Sequence, residues 1–496
     1  MRIDALAAEA VGARIAGDGS VGVADLAYDS RKVGAGTLFF CFPGEKADGH
    51  DFAAGAVEAG AVALVVEREL DLGVPQVVVA DARAAMAPVA ARFFGDPTGE
   101  LRVVGVTGTN GKTTTAFLIR EILEAAGVST GLLGTVKQVV GGEEEEVERT
   151  TPEAIDLQAT FRRMLDRGDR ACAMEVSSHA MSLHRADAIH FELALFTNLT
   201  QDHLDFHADM EDYFLAKRGL FEAGVGTAIV NVDDPYGRRL AEEFECVTFS
   251  AEGAEADYSA SDVGFDASGA QFIVNRRSTG RKVDSGSTKR PVGGGVRVTT
   301  GLPGHFNVAN ALAAFAAAVT MGVEPEVAAV GLAKAGRVPG RFEPIDEGQG
   351  FSVLVDYAHT PDSLENVLRA ARRLTAGRVI SVFGAGGDRD RDKRPKMGRA
   401  GAQLSDLAVV TSDNPRSEDP VAIVAEVAAG AEEGVEVEVD RRAAIALALG
   451  RAEPGDTVVI AGKGHEQGQE FEAGRRIPFD DREVAREELR KLGSPA

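Results

Sequence analysis

Short apolar runs alternate along the whole chain with stretches in which apolar residues recur every three or four positions. The runs Thr37–Phe42, Ala61–Val66, Leu101–Val106, Ala171–Val176, Leu193–Thr197, Val379–Phe383, Leu407–Thr411 and Thr457–Ala461 read as buried strands. After Lys112 the residues Leu118, Ile119, Ile122, Leu123 and Ala126 keep helical spacing, and Gly127 is a fitting stop. Asp212–Phe221 reads as another helix. Strand and helix signals alternate throughout, which predicts the α/β class with mostly parallel sheets.

A chain of 496 residues is too long for one hydrophobic core. Turn-rich breaks at Asp96-Pro97-Thr98-Gly99 and Val338-Pro339-Gly340 divide it into 1–98, 99–336 and 337–496. The Gly/Ser-rich stretch 276–295 reads as a flexible insertion between two strands, and Glu143–Glu146 as an exposed loop. The amphipathic, acidic N-terminus reads as structure and not as a signal peptide. No apolar run approaches bilayer length. Cys41, Cys172 and Cys246 are far apart with no CxxC pair, which points to a reducing cytoplasm.

The net charge of −24 argues against a nucleic-acid or membrane partner. Six basic side chains nevertheless gather in 386–399: Arg389, Arg391, Lys393, Arg394, Lys396 and Arg399. Three aspartates share the stretch, so a solvated charged loop is the plain reading.

The chemistry starts at Gly108-Thr109-Asn110-Gly111-Lys112-Thr113-Thr114, between a strand and a helix. Glycine-rich backbone at a helix N-terminus presents N–H groups to phosphate oxygens, Lys112 reaches the outer phosphates, and Thr113 has the hydroxyl that faces Mg²⁺. Val106 stands where the common phosphate-loop pattern has its first glycine. ATP and Mg²⁺ are the expected ligands. Two further loops follow strands: Ser177-Ser178-His179, and Asn198 to His203. Glu175 ends an apolar strand, where a carboxylate is costly unless a cation compensates it. With His203 it is a candidate Mg²⁺ ligand. Lys217, on a helix, reads from composition as solvent-facing.

Together these motifs resemble the Mur ligase family, which builds the peptide of bacterial cell-wall precursors. The resemblance spans nearly the whole chain, through GTNGKTT (108–114), MEVSSHA (174–180), TNLTQDHLDFH (197–207), YFLAKRGLF (213–221), LPGHFNVANALAA (302–314), GRFE (340–343), DYAHTPDSL (356–364), GAGGDRDRDKRP (384–395), SDNPRSEDP (412–420) and AGKGHE (461–466). It implies an N-terminal domain for a uridine nucleotide, a central ATP domain and a C-terminal Rossmann-like domain for the incoming amino acid. It also implies that Lys217 is carbamylated and holds a second Mg²⁺ with Glu175 and His203.

Other roles come from the same resemblance. Asn307, Arg341 and Asp356 lie near ATP. Thr150, Thr151, Ser177 and Arg185 hold the muramoyl dipeptide, and Ser30 the uridine nucleotide. Leu183 stands where many members carry a glutamine, and Gly44-Glu45-Lys46 departs from their N-terminal pattern. The implied reaction joins meso-diaminopimelate to the D-Glu carboxylate of UDP-N-acetylmuramoyl-L-Ala-D-Glu through an acyl phosphate, in a cytoplasmic monomer. In Asp413-Asn414-Pro415-Arg416-Ser417, Arg416 can grip the far carboxylate of a diamino-diacid. Glu466 can take its ammonium, Arg389 adds a cationic contact, and Gly462 belongs to the same set. Lysine has no far carboxylate and would leave Arg416 unpaired. Another Mur or folylpolyglutamate synthase-type ligase is the nearest alternative. A P-loop ATPase, which would not need these C-terminal loops, and a nucleotide-binding regulator, which could dispense with Glu175, His203 and Lys217, are more distant ones.

Overall fold

The structure is a computed structural model that describes residues 1–44, 47–147, 149–277, 295–431 and 434–493. The chain packs as two compact units. One comprises Met1–Thr107, Gly127–Ala194 and Ala216–Ala228; the other comprises Gly108–Ala126, Leu195–Leu215 and Ile229–Ala496.

The first unit holds a five-stranded sheet in the order Arg14–Ala16, Gln76–Val78, Ala61–Val66, Thr37–Phe40, Asp25–Ala27. Its last four strands are parallel and the first is antiparallel. Side chains alternate across the sheet because the strand period is two residues. Leu38, Phe40, Ala63 and Val65 pack with the helices Ile3–Ala7 and Ala82–Phe93, while Phe39, Leu64 and Val66 pack with Ala53–Glu58. Both faces are covered, so Thr37–Phe40 is buried throughout.

The same unit holds parallel strands Arg102–Thr107, Ala171–Glu175 and Thr130–Leu133, in that spatial order. Two short antiparallel strands, Gln138–Val140 and Glu143–Glu145, extend the edge. The acidic tract expected as a loop is therefore an edge strand. Its glutamates are neutralised by Arg163 and Arg167, at 2.7 Å from Glu145 and 2.8 Å from Glu143. Glu175 pairs in register with Val106, so it sits at the strand ends that lead into Gly108.

In the second unit the helices Lys112–Ala125, His305–Thr320 and Pro325–Lys334 pack together. Cys246–Ser250, Tyr258–Asp266, Gly269–Arg276 and Val296–Thr300 are successive strand neighbours there. Within the stretch read as a flexible insertion, residues 278–294 lie outside the described residues, as do Glu45 and Lys46. The flanks of that stretch belong to adjacent antiparallel strands, Val274 facing Val296.

A second sheet runs Glu343–Pro344, Ser352–Asp356, Thr457–Ala461, Val379–Phe383, Leu407–Val410, Val435–Val437, parallel after the first strand. Helices Pro361–Leu374, Lys393–Leu404 and Pro420–Ala429 cover one face; Arg441–Arg451 and Asp481–Gly493 cover the other. This doubly wound arrangement gathers the loops after Asp356, Phe383, Val410 and Ala461 at one edge, where such sheets bind ligands.

Candidate active site

The strand Arg102–Thr107 delivers the chain to the phosphate loop, and the helix Lys112–Ala125 leaves it. Gly108 has φ +143°, and a Cβ there would collide with Thr197 Oγ1. Gly111 caps the helix at φ +87°, and a Cβ there would meet Asn310 Oδ1. The loop is braced by the neighbouring strand end. Thr109 N donates to Asn198 O at 2.8 Å, Asn110 N to Asn198 Oδ1 at 2.9 Å, and Thr197 Oγ1 to Asn110 O at 2.7 Å. Lys112 Nζ donates to Gly108 O at 2.9 Å and Thr109 O at 2.8 Å, so its ammonium lies over its own loop. Asn307 is buried, with Nδ2 donating to Pro303 O at 2.8 Å and Oδ1 accepting from Asn310. Thr114 is buried in the first turn.

Side chains from the C-terminal sheet reach this loop within the same unit. Arg341 Nη2 donates to Thr113 Oγ1 at 3.0 Å, its guanidinium lies 4.5 Å from the Tyr357 ring centroid, and its buried Nε has no hydrogen-bond partner among the described residues. Asn110 Nδ2 donates to Asp362 Oδ2 at 2.9 Å. Asp356 accepts from Phe342 N at 2.7 Å; burial pushes its carboxyl above the usual range, against the pull of Arg341. His203, at φ +57°, neighbours the buried Asp202, which also meets Lys393 at 3.3 Å and His359 at 3.6 Å. Burial opposes ionisation of Asp202, but Lys393 and the two histidines outweigh it and hold the carboxyl well below its usual range. Arg389 stands 3.9 Å from Asp205.

These contacts correct the plain reading of 386–399. Lys393 and Arg394 are buried, inside the helix Lys393–Leu404, and only part of the cluster is solvated. Arg394 is fully buried, yet its charge is compensated by Glu418 at 2.7 Å and Glu426 at 2.8 Å.

In the first unit, Glu175 is 1% exposed and accepts from Thr135 N at 2.6 Å and Thr135 Oγ1 at 3.1 Å. Thr150 Oγ1 lies 3.1 Å from Thr135 Oγ1, and Thr151 Oγ1 donates to the Glu175 carbonyl at 2.9 Å. Ser177 caps the helix Ser178–Ser182. Arg185 donates to Thr151 O at 3.2 Å and pairs with Glu153 at 2.9 Å. Glu153 is buried and also takes Arg83 at 3.1 Å and Arg149 at 2.7 Å. Glu153, Arg83 and Arg149 line a cavity of about 970 Å³ together with Ser30, Phe42 and Pro152, among others. Lys217 is 1% exposed and not solvent-facing. The helix Met210–Glu222 turns Tyr213, Phe214, Lys217, Leu220 and Phe221 inward at helical spacing, a pattern that the charge of Lys217 conceals. Among the described residues no group of three or more His, Cys, Asp or Glu is gathered for a metal.

Three loops of the C-terminal sheet meet around Asn414. Its Nδ2 donates to Glu466 at 2.9 Å, its Oδ1 accepts from the buried Lys463 at 2.8 Å, and its carbonyl accepts from Gly387 N at 2.9 Å. Lys463 also donates to Glu466 at 3.0 Å. Burial would raise the Asp413 carboxyl, but Lys463 and Arg441 outweigh it and lower it. A Cβ at Gly462, φ +123°, would crowd Asp413 Oδ2. Arg416 adopts φ +51° and donates from Nε to Glu470 at 3.0 Å and from Nη1 to Gly387 O at 2.8 Å. Such left-handed geometry at a non-glycine residue is costly and clusters at ligand sites. Ser417 donates to Asp388 through both N and Oγ.

Comparison with known proteins decides the family. Three family models match in order: "Mur ligase family, catalytic domain" over 23–93, "Mur ligase middle domain" over 106–318, and "Mur ligase, glutamate ligase domain" over 340–464. The chain is 49% identical over 490 residues to UDP-N-acetylmuramoyl-L-alanyl-D-glutamate–2,6-diaminopimelate ligase of Streptomyces coelicolor, covering 96% of this chain and 94% of that protein. The chain belongs to the Mur ligase family. A solved structure of an enzyme of the same description is 31% identical, with a TM-score of 0.68 and full coverage of both chains. The MurF ligase of Thermotoga maritima in complex with ADP shares the fold at 20% identity, TM-score 0.64, covering 95% of this chain and 97% of that one. As a Mur ligase the protein is an ATP-dependent ligase that uses Mg²⁺, and the readings as a conformational ATPase or a regulator fall away.

Several residues of this Mur ligase site escaped sequence reasoning. Asp202, His359 and Lys463 lie inside the motifs given above, but only folding distinguishes them: Asp202 and Lys463 are buried beside opposite charges, and the half-buried His359 stands 3.6 Å from Asp202. Glu153, Glu470 and Arg441 carried no sequence signal beyond their charge. A pairing of distant charges is invisible until the chain is folded.

Proposed function

We propose that the protein adds meso-2,6-diaminopimelate to the D-Glu carboxylate of UDP-N-acetylmuramoyl-L-Ala-D-Glu in peptidoglycan precursor synthesis. The observation that carries this reading is Arg416. It is held at φ +51° with Nε and Nη1 engaged, while Nη2 has no hydrogen-bond partner among the described residues. A planar cation so held suits a carboxylate, and Glu466, bonded to Asn414 of the same loop, suits an ammonium. L-Lysine offers the ammonium without the carboxylate.

The chain is read as three domains: 1–98 for the uridine nucleotide, 99–336 for ATP and 337–496 for the amino acid. It acts in the cytoplasm as a monomer on small molecules. Ser30 takes the uridine nucleotide; Thr150, Thr151, Ser177 and Arg185 take the muramoyl dipeptide. Residues 108–114 with Asn307, Arg341 and Asp356 bind ATP. Arg389, Asp413–Ser417, Gly462 and Glu466 bind the amino acid.

The phosphate loop fits a polyphosphate. The backbone at Gly108 and Gly111 has no room for Cβ atoms, its N–H groups open a helix, and Lys112 is at hand. Lys112 neutralises charge as the γ-phosphoryl group passes to the D-Glu carboxylate and ADP departs. The amine then attacks the acyl carbon, and phosphate leaves with the original C–O bond broken. Thr113 would hold one Mg²⁺; Glu175, His203 and carbamylated Lys217 would hold a second. The metals supply charge neutralisation on the phosphate oxygens. At 1% exposure Lys217 lies inside the protein, where CO₂ added to its neutral amine would give an oxygen donor.

The test is phosphate release from ATP with UDP-N-acetylmuramoyl-L-Ala-D-Glu and no amine, L-lysine or meso-diaminopimelate. Turnover only with diaminopimelate is expected; equal turnover with lysine would remove the specificity.

A further inference from the structure

We propose that Glu470 is a positioning residue that sets Arg416 for the far carboxylate of the amino-acid substrate, an inference that rests on the function proposed above. Glu470 ends the strand Gly468–Glu470, which forms a small antiparallel hairpin with Arg476–Pro478. That hairpin lies outside the parallel sheet, yet it is tied to the loop Asp413–Arg416 by backbone and side chain together.

Four contacts make the tie. Arg416 N donates to Glu470 O at 3.0 Å, and a parallel bridge joins Arg416 to Phe471. Glu470 N donates to Asn414 Oδ1 at 3.0 Å. The Glu470 carboxylate accepts from Arg416 Nε at 3.0 Å. Two candidate substrate ligands, Asn414 and Arg416, are therefore bonded to one residue of the hairpin. The same Asn414 Oδ1 also accepts from Lys463 Nζ at 2.8 Å, and Asn414 Nδ2 donates to Glu466 at 2.9 Å.

The choice of Nε matters. A guanidinium has five N–H donors in one plane. Glu470 uses the Nε donor and the Gly387 carbonyl uses Nη1, so the plane is fixed by two contacts and Nη2 stays available for a carboxylate. Without Glu470 the guanidinium can rotate about its last torsions, and substrate binding must then order it. The Arg416 and Glu470 side chains are 21% and 46% exposed, so the pair adds little to folding stability. Its effect falls on orientation, and therefore on the KM for the amine.

The experiment measures steady-state phosphate release with meso-diaminopimelate varied for wild type, Glu470→Ala, Glu470→Gln, Arg416→Ala and the double alanine variant. In Glu470→Ala the KM for diaminopimelate rises about tenfold, with kcat, the KM for ATP and the thermal midpoint close to wild type. Glu470→Gln, which keeps an oxygen acceptor for Nε, lies within about threefold of wild type. On the Arg416→Ala background, Glu470→Ala adds no further rise, because the two residues act as one unit. An unchanged or lowered KM in Glu470→Ala overturns the inference, as does full additivity in the double variant. If wild type ignores diaminopimelate, the proposed substrate itself falls, and the wild-type arm shows this before any variant is compared.

Discussion

The loops Gly108–Thr114 and Asp413–Arg416 lie in the same compact unit, and both are suited to charged ligands, but they are assembled differently. In the first, consecutive residues supply the groups that face a phosphate, and Thr197 and Asn198 only brace them. Two glycines fit where a Cβ would collide, and a helix begins at once. In the second, the side chains are aimed by residues far away in sequence: Lys463 and Glu470 hold Asn414 and Arg416. Arg441 donates to both Ser412 O and Ala461 O, which joins the roots of two loops. A backbone site is encoded locally; a side-chain site depends on buried charges elsewhere.

Breaking the remote support should have the largest effect. Arg441 and Asp481 are both fully buried and 2.7 Å apart. Arg441→Leu strands the Asp481 carboxylate and should cost about 3–5 kcal/mol in denaturant unfolding, while Arg441→Leu with Asp481→Leu should recover much of it. If the double variant is no better than the single, the pair is not what matters. Gly108→Ala tests the local design. The added methyl collides with Thr197 Oγ1, and turnover should fall about a hundredfold with little loss of stability. Normal turnover would mean the loop tolerates a Cβ.

Arg416→Ala sharpens the contrast at the ligand itself. Its kcat/KM for diaminopimelate should fall at least about tenfold, roughly 1.4 kcal/mol, with the KM for ATP unchanged. The smallest effect concerns acid. The fully buried Arg394 guanidinium holds the Glu418 carboxyl down, from its ordinary 4.5 to about 2, against the opposing effect of burial. A folded value below the unfolded one means that Glu418 stabilises the fold fully above about pH 4.5. That contribution fades as pH falls from about 4.5 towards 2. Urea midpoints of Glu418→Gln across this window should slope less than those of wild type.

The strands expected at Ala61–Val66, Val379–Phe383 and Thr457–Ala461 have those bounds in the structure, because continuous apolar runs in a covered sheet leave little choice. The edge strand at Glu143–Glu145 was not legible, since four consecutive glutamates have no strand pattern, and the cations that neutralise them, Lys137, Arg163 and Arg167, come together with them only in the fold. Lys217 reads as a surface lysine by type, and the inward face of its helix reverses that.

Local chemistry in consecutive residues, the α/β alternation and the phosphate loop were thus determined along the chain, where period and glycine placement act over a few positions. Folding alone decided which charges are buried and what compensates them: Glu153 among Arg83, Arg149 and Arg185, Asp202 beside Lys393, and Glu470 on Arg416. The physical reason is that the cost of a buried charge is set by its distance to an opposite charge, and that distance exists only once remote segments have come together.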